Sequence, residues 1–401
     1  MKQRTLIILF ISSLIIRVFC IFFFANTANP QMWEFGKIAR NLFQGNGFQY
    51  TAISIDVPSA YMPPGLPFLY FVFFKIFGDN INAYIGILLF NAFLASFSVI
   101  IIYRIAEFIY DTKIALLTAI YIIVSPVLIF SSVNYNPIII YQLLIGISYL
   151  FFLKTQRNPV TKKKFNITNL KFILILSIAL GLFLYFRSEI FGFIIILSFY
   201  FLIKKRIIDA VLILIIPIIL ISPWTIRNYV MFGKLIPVST SIGYNFFTGH
   251  GDDAAAIDFN KRVMNLKEDS SFETEKSKIG FEEAFKYIRE HPAEELKESF
   301  WKVLSLWFID KYRENAKNPI YILIWIPTLI LFLVGYFKSL KDKNIFYKLY
   351  FMNVYLVFST ILVVIFFNIP RYQIQMSYLM IPTAMYGLFS IYENLFGKIK
   401  E

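Results

Sequence analysis

The chain has 401 residues, 58% of them hydrophobic, and a formal charge of +14, with a mean hydropathy of +0.64. Helices of a soluble domain need a polar face, so this composition excludes one and defines an integral membrane protein. The single cysteine, Cys20, excludes an intrachain disulfide framework and a cysteine-ligated metal.

Lipid offers the backbone no hydrogen-bond partner, so each span is a helix of about 20 apolar residues. The first run, Leu6–Phe24, follows the basic Lys2 and Arg4, and no small-residue cleavage site comes after it; it is read as a retained span. Further basic clusters at Arg104, Lys154–Lys171, Lys204–Arg206, Lys338–Lys343 and Lys398–Lys400 alternate with apolar runs. Placing them in the cytoplasm predicts about ten spans, near 5–25, 82–103, 113–131, 138–153, 172–190, 191–203, 207–224, 319–337, 346–367 and 376–392, with both termini inside. The basic excess is then a topology signal, and no nucleic acid is expected as a partner. The sequon Asn166-Ile167-Thr168 lies in a basic loop of this topology and is read as chance.

This parity leaves segments 26–80, 133–137, 185–189, 223–318 and 368–375 on the outer face, and every polar cluster suited to chemistry falls there. An active site there has no access to nucleotide-activated substrates, so its donor must arrive through the membrane.

Within the first outer segment, Trp33–Phe43 has the spacing of an amphipathic helix that Gly45 and Gly47 stop. Tyr61-Met62-Pro63-Pro64-Gly65 then predicts an extended entry into a helix at Leu66. With only 13 residues up to Gly78, that helix is read as lying along or dipping into the outer leaflet. The large outer segment is acidic: residues 252–298 hold 13 of the 25 carboxylates against 8 cations, which predicts a small polar subdomain. Glu273–Arg289 has one-sided helical spacing. Pro292 opens the next helix, Ala293–Ile309, read as interfacial with Trp301 and Trp307 at headgroup level.

The segment PWTIRNYVMFGKLIPVST, Pro223–Thr240, directly follows an apolar run and sets a ring and a guanidinium where membrane meets water. Trp224 and Arg227 alone would make an interfacial anchor. In order along the chain stand Glu34–Phe48, the Tyr61-x-Pro-Pro-Gly step, Arg187 with Glu189, Pro223–His250, the Ile-Arg-x-His-Pro helix at 288–292, and Pro370-Arg371-Tyr372. This ordered set resembles bacterial membrane glycosyltransferases of the GT-C superfamily, in the family 39 group related to protein mannosyltransferases and aminoarabinose transferases.

The resemblance implies an all-α polytopic fold, with a GT-C-like transmembrane module over 1–224, an extracytoplasmic loop subdomain over 225–318 and C-terminal transmembrane helices over 319–401. It implies inverting transfer of a sugar from a polyprenyl-phosphate donor, on the outer face of a bacterial inner membrane, to a glycolipid, polysaccharide or protein acceptor. The acceptor hydroxyl needs a carboxylate base. Glu34 is the first choice and Asp56 the second, because the aspartate common in the family three residues before Glu34 is here Gln31. The departing phosphate needs cations, for which Arg187, Arg227, Lys234 and Arg371 are the candidates. Tyr61, Glu189, Trp224, Asn228, Tyr229 and Tyr372 are expected to line the substrate site. No cofactor or metal site is expected from His250 and His291, while Asp252 and Asp253 leave a divalent ion open. A lipid-linked polysaccharide polymerase and a polytopic transporter or exporter share many of these features, although no clear internal repeat supports the latter.

Overall fold

A computed structural model describes residues 2–157, 167–310 and 314–397. The middle of the basic loop expected between Lys154 and Lys171, Asn166 of the sequon and the cluster Lys398–Lys400 lie outside the described residues.

Ten helices fall on the ten predicted apolar runs. The first is α1 (Lys2–Phe24). The excursion that follows holds α2 (Trp33–Gln44), the antiparallel pair β1 (Gln49–Thr51) and β2 (Asp56–Pro58), and α3 (Gly65–Phe77). Next come α4 (Ile81–Ile109), α5 (Thr112–Val124) with its short continuation α6 (Pro126–Ser132), α7 (Ile138–Arg157), α8 (Ile167–Leu184), α9 (Ile190–Ile203) and α10 (Ile207–Phe232). The loop subdomain is helical, with α11 (Ile242–Gly249), α12 (Asp253–Met264), α13 (Phe272–Glu290) and α14 (Pro292–Trp307). The chain closes with α15 (Pro319–Ser339), α16 (Lys343–Lys348), α17 (Tyr350–Ile365) and α18 (Pro370–Phe396).

Five helices (α1, α4, α7, α10 and α15) are long and apolar enough to cross a membrane, and α5 with α6 makes a sixth if the bent pair is one span. On the other predicted runs the helices Asn169–Leu184, Ile190–Ile203 and Tyr350–Ile365 are shorter and α18 is not among the helices that meet this test, so length and composition alone do not establish ten crossings. The 61° bend between α5 and α6 falls at Pro126. Proline lacks the donor for the preceding turn and pushes Ser125 into extended backbone, ψ 114°.

The sharpest departure from expectation is α10. The run predicted to leave the membrane at Trp224 stays helical through Pro223 to Phe232, two further turns or about 12 Å at ~1.5 Å per residue. Gly233, at φ +63°, ends it in a left-handed conformation open to glycine. The Ser/Thr segment after it is irregular and forms no strand.

Two cores result. The main one runs through the bundle, where Phe152, Phe193, Phe351 and Tyr355 pack ring on ring. A smaller one of Phe247, Phe259, Val263, Phe272 and Ile279 holds α11, α12 and α13 together. In the bundle, α15 and α18 approach backbone to backbone at two glycines. A Cβ on Gly335 would lie 2.0 Å from the Thr383 carbonyl, and one on Gly387 2.1 Å from that of Leu331. Small residues at such crossings let two helices gain dispersion contacts that lipid cannot supply. Gly387→Leu is expected to force these helices apart and destabilise the protein by roughly 1–3 kcal/mol. A thermal unfolding scan in detergent reads this as a lower midpoint, with Leu388→Ala, at a neighbouring exposed position, close to wild type.

Candidate active site

The extension of α10 explains the residues that made Pro223–Thr240 conspicuous. Trp224 Nε1 donates to the Val238 carbonyl (2.7 Å), Thr225 Oγ1 to that of Pro237 (2.9 Å) and Asn228 Nδ2 to that of Ile236 (3.0 Å). Positions 224, 225 and 228 share a helix face, and together they satisfy successive carbonyls of the returning chain, which has no strand partner of its own. Arg227 reaches the other way, donating from Nη1 to the Ser59 carbonyl (2.6 Å) and from Nη2 to that of Phe48 (3.2 Å). Its guanidinium lies 4.9 Å from the Trp224 ring centroid and 5.5 Å from that of Phe48. Arg227 and Trp224 thus tie the first loop to α10, and both hydrogen-bond protein groups. Lys234, likewise, bonds to Glu275 (2.9 Å) and Thr274 (3.1 Å). Tyr229 is 59% exposed.

A carboxylate that the sequence did not single out sits at the centre of this arrangement. Glu273, 6% exposed, accepts from the Ser59 hydroxyl (2.5 Å), the Ala60 N–H (2.8 Å) and the Thr240 hydroxyl (2.7 Å). Thr240 N–H also donates to the Ala60 carbonyl (2.9 Å), so first loop, returning segment and α13 meet at one side chain. Burial pushes the Glu273 carboxyl above the usual carboxylate range, and the three donors and Arg227 act against it.

Around this hub lies a tyrosine cluster. Tyr50 stacks on Tyr61 (5.5 Å between centroids, 5° between planes), and the Lys276 ammonium lies 5.6 Å from the Tyr61 ring and 4.7 Å from that of Tyr244. Burial, then the Glu34, Glu273, Tyr244 and Asp56 charges, push the Tyr50 phenol up to about 12. Tyr61 moves further in the same direction, again mostly through burial. Burial lowers the Lys276 amine, and Glu273 partly restores it.

The two candidate base carboxylates of the first loop differ in what they touch. Asp56 is engaged by Lys37 Nζ (3.0 Å), Asn41 Nδ2 (2.9 Å) and Thr51 Oγ1 (2.8 Å), pinning α2 to the hairpin. Against a desolvation cost, these donors hold its carboxyl below the usual range. Glu34, in the first turn of α2, is half-buried and makes no hydrogen bond or ion pair among the described residues; its charge is felt by Tyr50 and Tyr61.

The other guanidinium group assembles where the turn between α8 and α9 meets α18. Arg187, 8% exposed, donates to Gln375 Oε1, lies 3.6 Å from Glu189 and sits 4.8 Å from the Tyr372 ring centroid and 5.7 Å from that of Tyr141. Arg371, next to Tyr372 in the first turn of α18, is exposed and has no hydrogen-bond or ion-pair partner among the described residues. That helix start has no side-chain cap, which leaves a positive dipole end beside Arg371. Ser239 Oγ donates to Ser188 Oγ (3.3 Å) and Gly65 N–H to the Tyr185 carbonyl (2.6 Å), which couple this group to the first. No hydrogen bond or ion pair joins Glu34 to Arg187 or Arg371. Among the described residues no three His, Cys, Asp or Glu side chains are grouped to hold a metal ion. His250 instead bonds to Glu295 (2.7 Å) and the Ile365 carbonyl (2.6 Å), tying α11 to α14 and α17.

Residues 61–226, under half of the chain, match the family model of dolichyl-phosphate-mannose-protein mannosyltransferases. The chain matches no curated relative. Among solved structures it matches the archaeal oligosaccharyltransferase AglB from Archaeoglobus fulgidus, in complex with an inhibitory peptide and a dolichol-phosphate, at a TM-score of 0.64 and 11% identity over 100% of this chain and 53% of that one. The oligosaccharyltransferase of the same organism tethered to an acceptor peptide with the NVT sequon gives 0.61 and 12% over 98% and 50%. ArnT from Cupriavidus metallidurans bound to undecaprenyl phosphate gives 0.46 and 11% over 96% and 77%. The chain spans about half the length of the oligosaccharyltransferase it matches. Bundle and loop subdomain define a helical, multi-pass membrane protein with the fold of the archaeal oligosaccharyltransferase it matches. The fold is thus similar to that of the archaeal oligosaccharyltransferase over the whole chain, and residues 61–226 are similar to the mannosyltransferase family model.

The raised carboxyl of Glu273 gives a pH signature. An acid whose folded pKa exceeds its unfolded one adds stability fully present below the unfolded value and lost as pH rises through the folded value. The wild-type unfolding midpoint is therefore expected to fall as pH climbs out of the ordinary carboxylate range, and Glu273→Gln is expected to remove that part of the slope. Parallel midpoint-against-pH curves for the two proteins would contradict the assignment.

Proposed function

We propose that the chain is an inverting glycosyltransferase that moves a sugar from a polyprenyl-phosphate donor to an acceptor hydroxyl at the outer face of a bacterial inner membrane. The observation that carries this reading is the contrast between the two candidate base carboxylates of the first loop: Asp56 is held by three donors, whereas Glu34 has none among the described residues. A general base must have a free lone pair for the incoming proton. Glu34 takes the acceptor proton as the oxygen attacks the anomeric carbon, and the bond to the lipid phosphate breaks on the opposite face.

The departing phosphate gathers charge that needs donors in a site of low dielectric. Arg371 meets it as the unpartnered guanidinium at an uncapped helix start, and Arg187, braced by Glu189, Gln375 and Tyr372, adds a second positive charge. Arg227, Trp224, Asn228 and Lys234 act one step back, holding the loops that carry these groups. Tyr61, with Tyr50 and Tyr244, offers stacked faces for a sugar ring beside Glu34. The lipid-linked donor is further supported by the family model, named for a dolichyl-phosphate sugar, and by the dolichol-phosphate in the AglB complex. The acceptor is a glycolipid, a polysaccharide or a protein.

Membranes containing the protein, incubated with a panel of labelled polyprenyl-phosphate sugars and analysed by mass, test the reading. Glu34→Gln is expected to lower transfer by roughly 10²–10⁴-fold with an unchanged unfolding midpoint, and Arg371→Ala to raise the KM for the lipid donor. Asp56→Asn is expected to lower the midpoint more than it lowers transfer per folded molecule. Full transfer by Glu34→Gln would remove Glu34 as the base.

A further inference from the structure

The end of the bundle away from the candidate active site holds a cavity of about 1180 Å³, at or above the ~300–1,000 Å³ usual for small-molecule sites. Its position follows from α10: Arg206, at the start of that helix, lines it, while Arg227 lies 21 residues on, about 30 Å away at ~1.5 Å per residue. Five cations line this cavity, Arg104, Lys154, Lys204, Arg206 and Lys348, against the single carboxylate Glu107. They come from α4, the end of α7, the α9–α10 turn and α16, so four separate parts of the chain bring like charge to one space.

Topology alone accounts for basic residues at one end of a membrane bundle, but it predicts scattered, solvated side chains. Here they converge, and their contacts leave much of the charge uncompensated. Among the described residues, half-buried Lys154 faces only the rings of Phe151 (4.4 Å) and Phe172 (5.6 Å) and exposed Lys204 only that of Tyr200 (5.9 Å), with no carboxylate partner. Lys348 donates to the backbone carbonyls of Phe108 (2.9 Å) and Ile109 (3.3 Å), and burial pushes its amine down. Arg104 pairs with Glu107 (2.8 Å) and Arg206 with Asp209 (2.5 Å), yet Arg206 Nη2 is buried without a hydrogen-bond partner. Like charges gathered at a low-dielectric wall repel one another, and an anion is the species that relieves them. The two guanidiniums can fork onto the oxygens of a phosphate while the ammoniums act as point charges.

We propose that this cavity binds a phosphate-bearing group, either the headgroup of an anionic lipid or a free phosphate compound. The site is distinct from the transfer centre and does not depend on it.

The test uses the full chain in nanodiscs. One arm titrates inorganic pyrophosphate into protein in pure phosphatidylcholine; the other compares phosphatidylcholine with phosphatidylcholine plus phosphatidylglycerol. The expected result is a rise in unfolding midpoint in one arm, which also identifies the source of the phosphate. The Lys154→Gln, Lys204→Gln double variant is expected to weaken that response at least tenfold in apparent affinity, while Lys261→Gln on α12, far along the chain and paired with Asp258, keeps it. Lys204→Gln alone, which removes an amine that touches only a ring, is expected to weaken the response at least threefold and serves if the double variant does not fold. No midpoint rise in either arm, or an equal response in wild type and the Lys204 variant, overturns the proposal. The readout is binding and stability, so either result leaves the glycosyl-transfer reading to its own assay.

Discussion

Burying a carboxylate costs several kcal/mol even after the protein relaxes, and Glu273 is buried where three chain segments meet. Hydrogen bonds to a charged acceptor return about 1.5–3 kcal/mol each, and Glu273 receives three, from Ser59, Ala60 and Thr240. These magnitudes nearly cancel, so the hub adds little net stability. What it imposes is position, because any displacement of the first loop, the returning segment or α13 strands a buried charge. Arg227 enforces the same geometry from the other side by holding the Phe48 and Ser59 carbonyls, which bracket the hairpin. The first loop is thereby fixed at both ends, and the three residue pairs of its β-ladder are supplemented internally by the contacts of Lys37, Asn41 and Thr51 with Asp56.

Rigidity of this kind is what a site on loops requires, since loops supply chemistry but need a scaffold to orient it. Glu34 stands in the first turn of α2, and α2 is anchored to the hairpin through Lys37, Asn41 and Asp56. The anchoring residues have filled hydrogen-bond positions and Glu34 has an empty one. The same division holds on the other side, where Arg187 is enclosed by Gln375, Glu189 and two tyrosines while Arg371 stands free. Each half of the candidate site pairs a braced charge with an unbraced one.

This division sets what the sequence could reveal. Apolar run length located the helices, because a lipid-exposed span needs a continuous signal that a single chain carries in itself. Trp224, Arg227 and Asn228 stood out by residue type at a membrane boundary, but type does not distinguish a phosphate ligand from a donor to backbone carbonyls. The distinguishing partners, Ile236, Val238 and Ser59, lie up to 168 residues away. Glu273 was hidden for a stronger version of the same reason. It sits at the start of an acidic amphipathic helix among carboxylates that are mostly solvated, and its burial comes from Ser59 and Ala60, more than 200 residues upstream. The helical path through Pro223 was obscured because proline ordinarily ends a span, and the extra turns are held by long-range contacts, those of Trp224, Thr225 and Asn228 with the returning chain and of Arg227 with the first loop.

The two ends of the bundle meet the same electrostatic problem in opposite ways. Near the first loop, positive charge is largely answered by protein: Arg227 by carbonyls and the Glu273 charge, Lys234 by Glu275, and Lys276 by tyrosine faces and Glu273. Arg371 is the exception there, and an uncompensated guanidinium at an uncapped helix start is where an anionic leaving group gains most. At the far end two of the five cations, Lys154 and Lys204, face rings, and Arg206, although paired with Asp209, has its buried Nη2 without a hydrogen-bond partner. A cation left unpaired inside a low-dielectric wall is tolerated only where a mobile anion or solvent completes it. One uncompensated charge at a helix start suits a group that arrives, reacts and leaves, whereas several cations converging from four parts of the chain suit one that stays.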